Sequence, residues 1–302
     1  MKPTSNSIGR RAALACALAA IGAGSACSLS FDAGDLACEG PACTQRASRD
    51  AASCGDGPCG EAGVATACLG RVRSRAVSGG EVPQSIALQT LATLAPVAGV
   101  AVRSCLLSDL YCEEPLGAAT TGADGTAQIA VPSAAWGGYF EYEAPNSMTS
   151  IVHFLPEYEA GEGGALVRVG LGERHYEGAV TSFDTLARVG SASGAPFALD
   201  PSLGFVFGRV VGCDGQGLPG AVVTLDAVAP TTLVVYAADG LPSTSLTSTG
   251  PGGDFFVGNV PADRFVILRA RLAEGRVVGE RRAVSRAGAM TVVAISPSES
   301  LE

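Results

Sequence analysis

The chain has 302 residues with 20 Lys+Arg against 29 Asp+Glu, a formal net charge of −9, and ten Cys beside two His. That balance excludes a phosphate-binding surface of the kind nucleic-acid proteins use, and two His leave little for metal or acid/base chemistry. Charged residues at 16%, hydrophobic residues at 47%, 40 Gly and 17 Pro describe a chain that buries a core but is cut up by turns, as in all-β modules.

Residues 1–11 are polar, with Lys2, Arg10 and Arg11 and no acid, and an apolar stretch follows from Ala12 to Gly24. This is the n-region and h-region of a signal peptide over 1–26, too short for the roughly 20 apolar residues a membrane span needs. Arg10-Arg11 also suits a twin-arginine signal, although two basic residues are ordinary in any n-region. Gly24-Ser25-Ala26-Cys27 resembles a bacterial lipobox, with Gly24 where Leu is usual. The resemblance implies that Cys27 is lipidated and anchors the protein to a membrane, and Ser28 after it implies outer-membrane sorting. The other reading is cleavage after Ala26, which leaves Cys27 free for a disulfide. Loss of the signal removes three cations and no anion, leaving 17 against 29 and a net charge of −12, every cation an arginine.

Without Cys16 and Cys27, eight Cys remain in an exported chain: Cys38, Cys43, Cys54, Cys59, Cys68, Cys105, Cys112 and Cys213. An even count suggests four disulfides, for which eight Cys allow 105 connectivities. CEGPAC (38–43) and CGDGPC (54–59) share one spacing around Gly-Pro and suit short clips. Cys105 and Cys112 flank a short loop, and Cys68 with Cys213 is left by elimination. A zinc knuckle is the weaker alternative, because ribbons favour CxxC and neither His is near.

Residues 27–65, rich in Ala, Gly, Ser, Asp and Pro, cannot bury a core and read as a Cys-rich flexible tether. From 66 onward short β-branched runs alternate with Gly, Pro and Asp, the pattern of a β-sandwich. The runs repeat in order. LGRVRSRAV (69–77) matches GFVFGRVV (204–211), and PVAGVAVRS (96–104) matches LPGAVVTLD (218–226). TTGADGTAQIAVP (120–132) matches TSTGPGGDFFVGNVP (247–261), GGYFEYEA (137–144) matches DRFVILRA (263–270), and GGALVRVGL (163–171) matches AGAMTVVAI (287–295). Two copies of one β-sandwich are therefore expected, at 66–171 and 204–297, with a tail at 298–302. In this reading 78–96 is a loop.

Alternation puts Phe140 and Tyr142 inward and Glu141 and Glu143 in water. Asp124-Gly125 and Gly252-Gly253 read as turns, and Val131-Pro132 and Val260-Pro261 as strand ends. The linker 172–203 reads as a short helix with Val180, Phe183, Leu186 and Ala187 on one face, Thr181 or Ser182 as cap and Gly190 as its stop.

The second copy's Gly208, Val210, Gly217, Leu218, Pro219, Gly220, Ala221, Val223, Thr249, Gly253, Phe255, Val260 and Pro261 resemble the carboxypeptidase regulatory-like domain. The first keeps Gly99, Val100, Thr121, Asp124, Gly125, Val131, Pro132, Gly138 and Tyr139. The resemblance implies tandem transthyretin-like (prealbumin-like) Greek-key sandwiches and, in overall layout, a bacterial lipoprotein that carries such modules on a tether. Related pilin-like sandwiches are crosslinked by Lys–Asn isopeptide bonds, for which no lysine remains after Lys2.

Catalytic signatures are missing. HFLPEYE around His153 has Pro156 where a zinc peptidase needs Glu, and His175 in GERHYEG reads as a residue of a polar turn. Neither a nucleophile elbow nor a phosphate loop is present, GPGGD (250–254) being a hairpin loop. Glu157, Glu159 and Glu162 form an acidic loop without a calcium-binding pattern. No cofactor or metal is expected. Trp136, between small residues, is the candidate ligand contact, possible partners for it among Tyr139, Tyr142, Tyr158, Tyr176 and Tyr236; the other reading makes Trp136 a core filler. The function expected is a non-enzymatic, envelope-anchored lipoprotein whose modules act as binding or spacer units for an unknown protein or glycan partner, with no nucleic acid. The alternative is a carbohydrate-binding accessory protein.

Overall fold

The computed structural model describes residues 65–69, 73–74, 80–91, 93–133, 138–154, 157–160, 166–170, 174–192, 198–238 and 241–297. In chain order the first half holds β1 (Arg73–Ser74), β2 (Glu81–Thr90), β3 (Ala101–Cys105), β4 (Gly117–Thr120), β5 (Thr126–Pro132), β6 (Tyr139–Tyr142), β7 (Ser150–His153), β8 (Glu157–Ala160), β9 (Leu166–Gly170) and β10 (Arg174–Val180). Helix α1 (Phe183–Ala192) follows. The second half holds β11 (Gly204–Val210), β12 (Ala221–Leu225), β13 (Leu233–Ala238), β14 (Leu241–Ser243), β15 (Asp254–Val260), β16 (Arg264–Leu272), β17 (Val277–Ser285) and β18 (Met290–Ile295).

The protein is all-β, built as two sandwiches. In the first, the sheet β10-β2-β5 faces strands β4-β3-β6-β7, around Ile86, Leu88, Val102, Ile129, Phe140, Phe154 and Tyr176. In the second, strands β14-β13-β15-β11-β18 face the sheet β12-β16-β17, around Val206, Val223, Phe255, Val257, Leu268 and Ile295. Phe255 fits because Gly208 stands opposite; a Cβ there would come within 2.2 Å of the ring.

The repeat is real at the level of single hydrogen bonds. Thr121 Oγ1 accepts from Val100 N at 3.0 Å and donates to Val97 O at 2.7 Å. Thr249 Oγ1 accepts from Ala221 N at 2.8 Å and donates to Leu218 O at 2.7 Å. The turn glycines Gly125 and Gly253 have φ of +77° and +73°, a region that favours glycine, and their carbonyls accept from Leu88 N and Val210 N at 2.9 Å in each case.

These equivalences correct the strand assignment at both ends of the first copy. Leu88 corresponds to Val210, so the counterpart of β11 is β2, inside the stretch expected to be a loop, and not 69–77. Tyr176 pairs with Ile86 as Val293 pairs with Gly208, so the closing strand is β10, not 163–171. Residues 73–74 and 166–170 instead form, with β8, a small separate sheet of order β1-β9-β8. The difference has a simple cause: Gly-Ala-Val runs of period two fit any strand equally well, and only pairing tells which one closes a sandwich.

The stretch 172–203 therefore carries a strand as well as a helix. Val180 belongs to β10, and α1 begins after Ser182, whose Oγ accepts from Thr185 N at 3.2 Å as an N-cap. Gly190 lies within the helix rather than ending it. Phe183 and Leu186 cover the outer face of the second module's sheet at Phe205, Phe256 and Met290.

Candidate functional site

Buried polar side chains, Glu141, Ser150, His153, Arg281 and Thr291, gather where the modules meet. β7 pairs with β6 on one side and, in parallel, with β18 on the other, Ser150, Ile151 and Val152 standing opposite Met290, Thr291 and Val292. The result is a continuous nine-stranded sheet of order β14-β13-β15-β11-β18-β7-β6-β3-β4. Met290 N donates to Thr149 O at 2.9 Å at its start. The modules are thus joined by a shared sheet, where the sequence suggests only a linker.

That sheet explains why β6 is buried on both faces. Phe140 and Tyr142 enter the first core as their alternation predicts, and Glu143 is exposed. Glu141, expected in water, is 5% exposed. The second module covers it, and its carboxylate is shared between Arg103 of β3 and Arg286, in the loop before β18. A buried carboxylate is tolerable only with such partners. Arg103 also donates from Nη1 to Cys112 O at 3.2 Å, linking the ion pair to the loop after β3.

Cys105 and Cys112 are bridged across that loop, with Cα atoms 5.4 Å apart. Its Leu107 and Leu110 pack with Tyr139 and Ile151 of the first module against Phe265, Val284 and Ala289 of the second. Tyr139 Oη donates to Asp109 O, and burial raises the Tyr139 phenol well above its ordinary value. For Asp109, burial pushes the carboxyl up, but backbone N–H groups of Glu114, Glu113, Tyr111 and Cys112 outweigh it and hold it below the ordinary carboxylate value.

His153 lies in β7, 2% exposed, and its Nε2 accepts from Val284 N of the second module at 3.2 Å. That role needs a neutral ring with its proton on Nδ1. One residue on, Phe154 O accepts from Arg281 Nη2 at 2.8 Å. His153 is a structural residue of the junction. His175 is in strand β10 rather than a turn, exposed, with Nδ1 2.9 Å from Ser85 Oγ.

Cys68 and Cys213 are bridged, with Cα atoms 5.6 Å apart and a sequence separation of 145. Cys27, Cys38, Cys43, Cys54, Cys59 and Trp136 lie outside the described residues, as do the side chains of Glu157, Glu159 and Tyr158 and the whole of Glu162. Tyr139, Tyr142, Tyr176 and Tyr236 are buried, so they form no stacking platform; Tyr236 Oη instead accepts from Val223 N at 3.0 Å. Among the described residues no group of three or more His, Cys, Asp or Glu is placed to hold a metal ion. No helix among them is long and apolar enough to cross a membrane.

Sequence reasoning missed Asn259. It is the one residue by which β15 exceeds β5 before the shared Val-Pro, and it adopts φ +57°. Its Oδ1 accepts from Asp200 N at 2.9 Å, and Nδ2 donates to Ala198 O and Thr231 O at 2.9 and 3.2 Å, pinning the segment that enters β11. One residue more between the turn glycine and Val-Pro, in 254–259 against 126–130, is its only trace in the sequence.

No family model matches the chain, and no curated protein does. Among solved structures it is similar to the Bacillus anthracis TIE protein at 10% identity and TM-score 0.21, over 73% of this chain and 34% of that one, so that it spans about a third of that protein's length. It is similar to the shaft pilin SpaA from Lactobacillus rhamnosus GG at 8% identity and TM-score 0.20, over 72% and 98% of the two chains. To GBS52, the minor pilin of Streptococcus agalactiae, the identity is 14% and the TM-score 0.19, over 73% and 99%.

Proposed function

We propose that this chain is a non-enzymatic, lipid-anchored envelope protein whose two transthyretin-like sandwiches act together as one stiff binding or spacer unit. The observation that carries the reading is the junction: a sheet running through both modules, with Glu141 buried between arginines of each, makes one body of what two tethered domains would leave free to swing. A spacer needs that stiffness, and the shared sheet supplies it. The lipid anchor rests on residues 12–27, and outer-membrane placement on Ser28.

Labelled palmitate incorporated by the wild type and lost in Cys27→Ala supports the anchor; labelling that persists in that variant overturns it. Crosslinking in intact cells followed by pull-down identifies the partner. A glycan array tests the carbohydrate reading separately: binding abolished by Trp136→Ala would make the chain a carbohydrate-binding accessory protein instead of a spacer.

A further inference from the structure

The segment that leads out of the tether precedes the first module in sequence but docks on the second. Ala65 O accepts from Cys213 N at 2.9 Å, and Cys68 N donates to Cys213 Sγ, also at 2.9 Å. Cys68 is 1% exposed, and Ala65 and Leu69 pack against the second module's core. Cys213 sits in the turn after β11. The end of β18 is at the same pole, since Val211 N donates to Ile295 O at 2.9 Å.

We propose that the Cys68–Cys213 bridge makes the first module a closed insertion held outside the line of tension. A pull arriving through the N-terminal segment crosses the disulfide into the second module at the turn after β11. It bypasses all the sequence between the two cysteines, which stand 145 positions apart and enclose every strand from β1 to β10, helix α1 and β11 itself. Along the covalent chain the first module then carries no tension, and force reaches it only through its pairing with β18, the Glu141–Arg286 contact and whatever binds to it. This rests on the proposed surface role only for the direction of pull. The bypass is a property of the fold, and it stands or falls independently of lipidation.

Single-molecule stretching of the oxidised full chain, held by peptide tags at its two ends, tests it. At about 3.6 Å per residue, unfolding of residues 214–295 should lengthen the chain by roughly 30 nm and no more. Reduction of the folded protein, or Cys68→Ser, should add about 50 nm as the residues between the cysteines enter the path. If Cys68→Ser does not fold, the reduced wild type gives the same reading. The Cys105→Ser, Cys112→Ser double variant should keep the oxidised trace. An oxidised wild type or double variant that releases the additional 50 nm would overturn the proposal, as would a reduced chain that gains nothing. None of these outcomes depends on palmitate labelling, so failure of the anchor and failure of the bypass are distinguishable.

Discussion

Thr121 and Thr249 make the same pair of bonds in the two modules, and beyond that shared corner the two sandwiches are finished differently. In the second module β17 runs nine residues along the edge of its sheet. Its counterpart β7 has four, all buried, because β18 lies on its other side. The first module also spends a disulfide loop and a buried carboxylate on the contact. The second module closes on itself and then completes its neighbour. Repeated sequence thus fixes a common frame, while the residues that depart from the repeat decide how the copies are joined.

The comparison can be broken most sharply at the cores. Phe255→Ala should cost about 3–5 kcal/mol, since it empties a fully buried ring site that Gly208 cannot fill. Chemical denaturation should still show one transition seen alike by probes in both modules. Two well-separated transitions would mean that the shared sheet does not couple them. Glu141→Gln should cost roughly 2–3 kcal/mol, less than a fully buried pair because Arg103 stays partly solvated. Its signature is faster amide exchange at Val284 and Met290, across the junction, with exchange at Val223 unchanged; equal acceleration everywhere would argue against a local role.

Thr121→Val and Thr249→Val should each cost about 1–2 kcal/mol, leaving a buried N–H without its acceptor. Losses that differ several-fold in denaturant titrations would show the two corners to be alike in geometry only. The smallest effect is one of pH. Asp109 has its carboxyl held below the ordinary value, so its contribution is complete above the ordinary carboxylate range and fades as pH falls through the lowered one. Glu114 N donates to Asp109 Oδ2 at 2.9 Å, so the protection of that amide should decline on acidification, after correction for intrinsic exchange. In Asp109→Asn the decline should vanish.

How much could be read beforehand varied with the kind of interaction. Turn chemistry was legible, because Gly125, Gly253, Pro132 and Pro261 sit where φ or a missing donor leaves few alternatives. Phe140 and Tyr142 were legible from period two. Glu141 was not, because alternation reports two faces of a strand and cannot tell that a second module covers the outer one. Gly190 failed as a helix stop because packing of Phe183 and Leu186 on the second module's sheet outweighs the modest cost of an internal glycine.

The sequence by itself determined an acidic, all-β chain with two copies of one sandwich, since composition, turn residues and repeats are local properties. Tertiary structure alone decided which strands open and close the first copy and that one sheet passes through both. Each of those is a pairing between residues far apart in the chain, and β-strand pairing leaves no local mark of its partner.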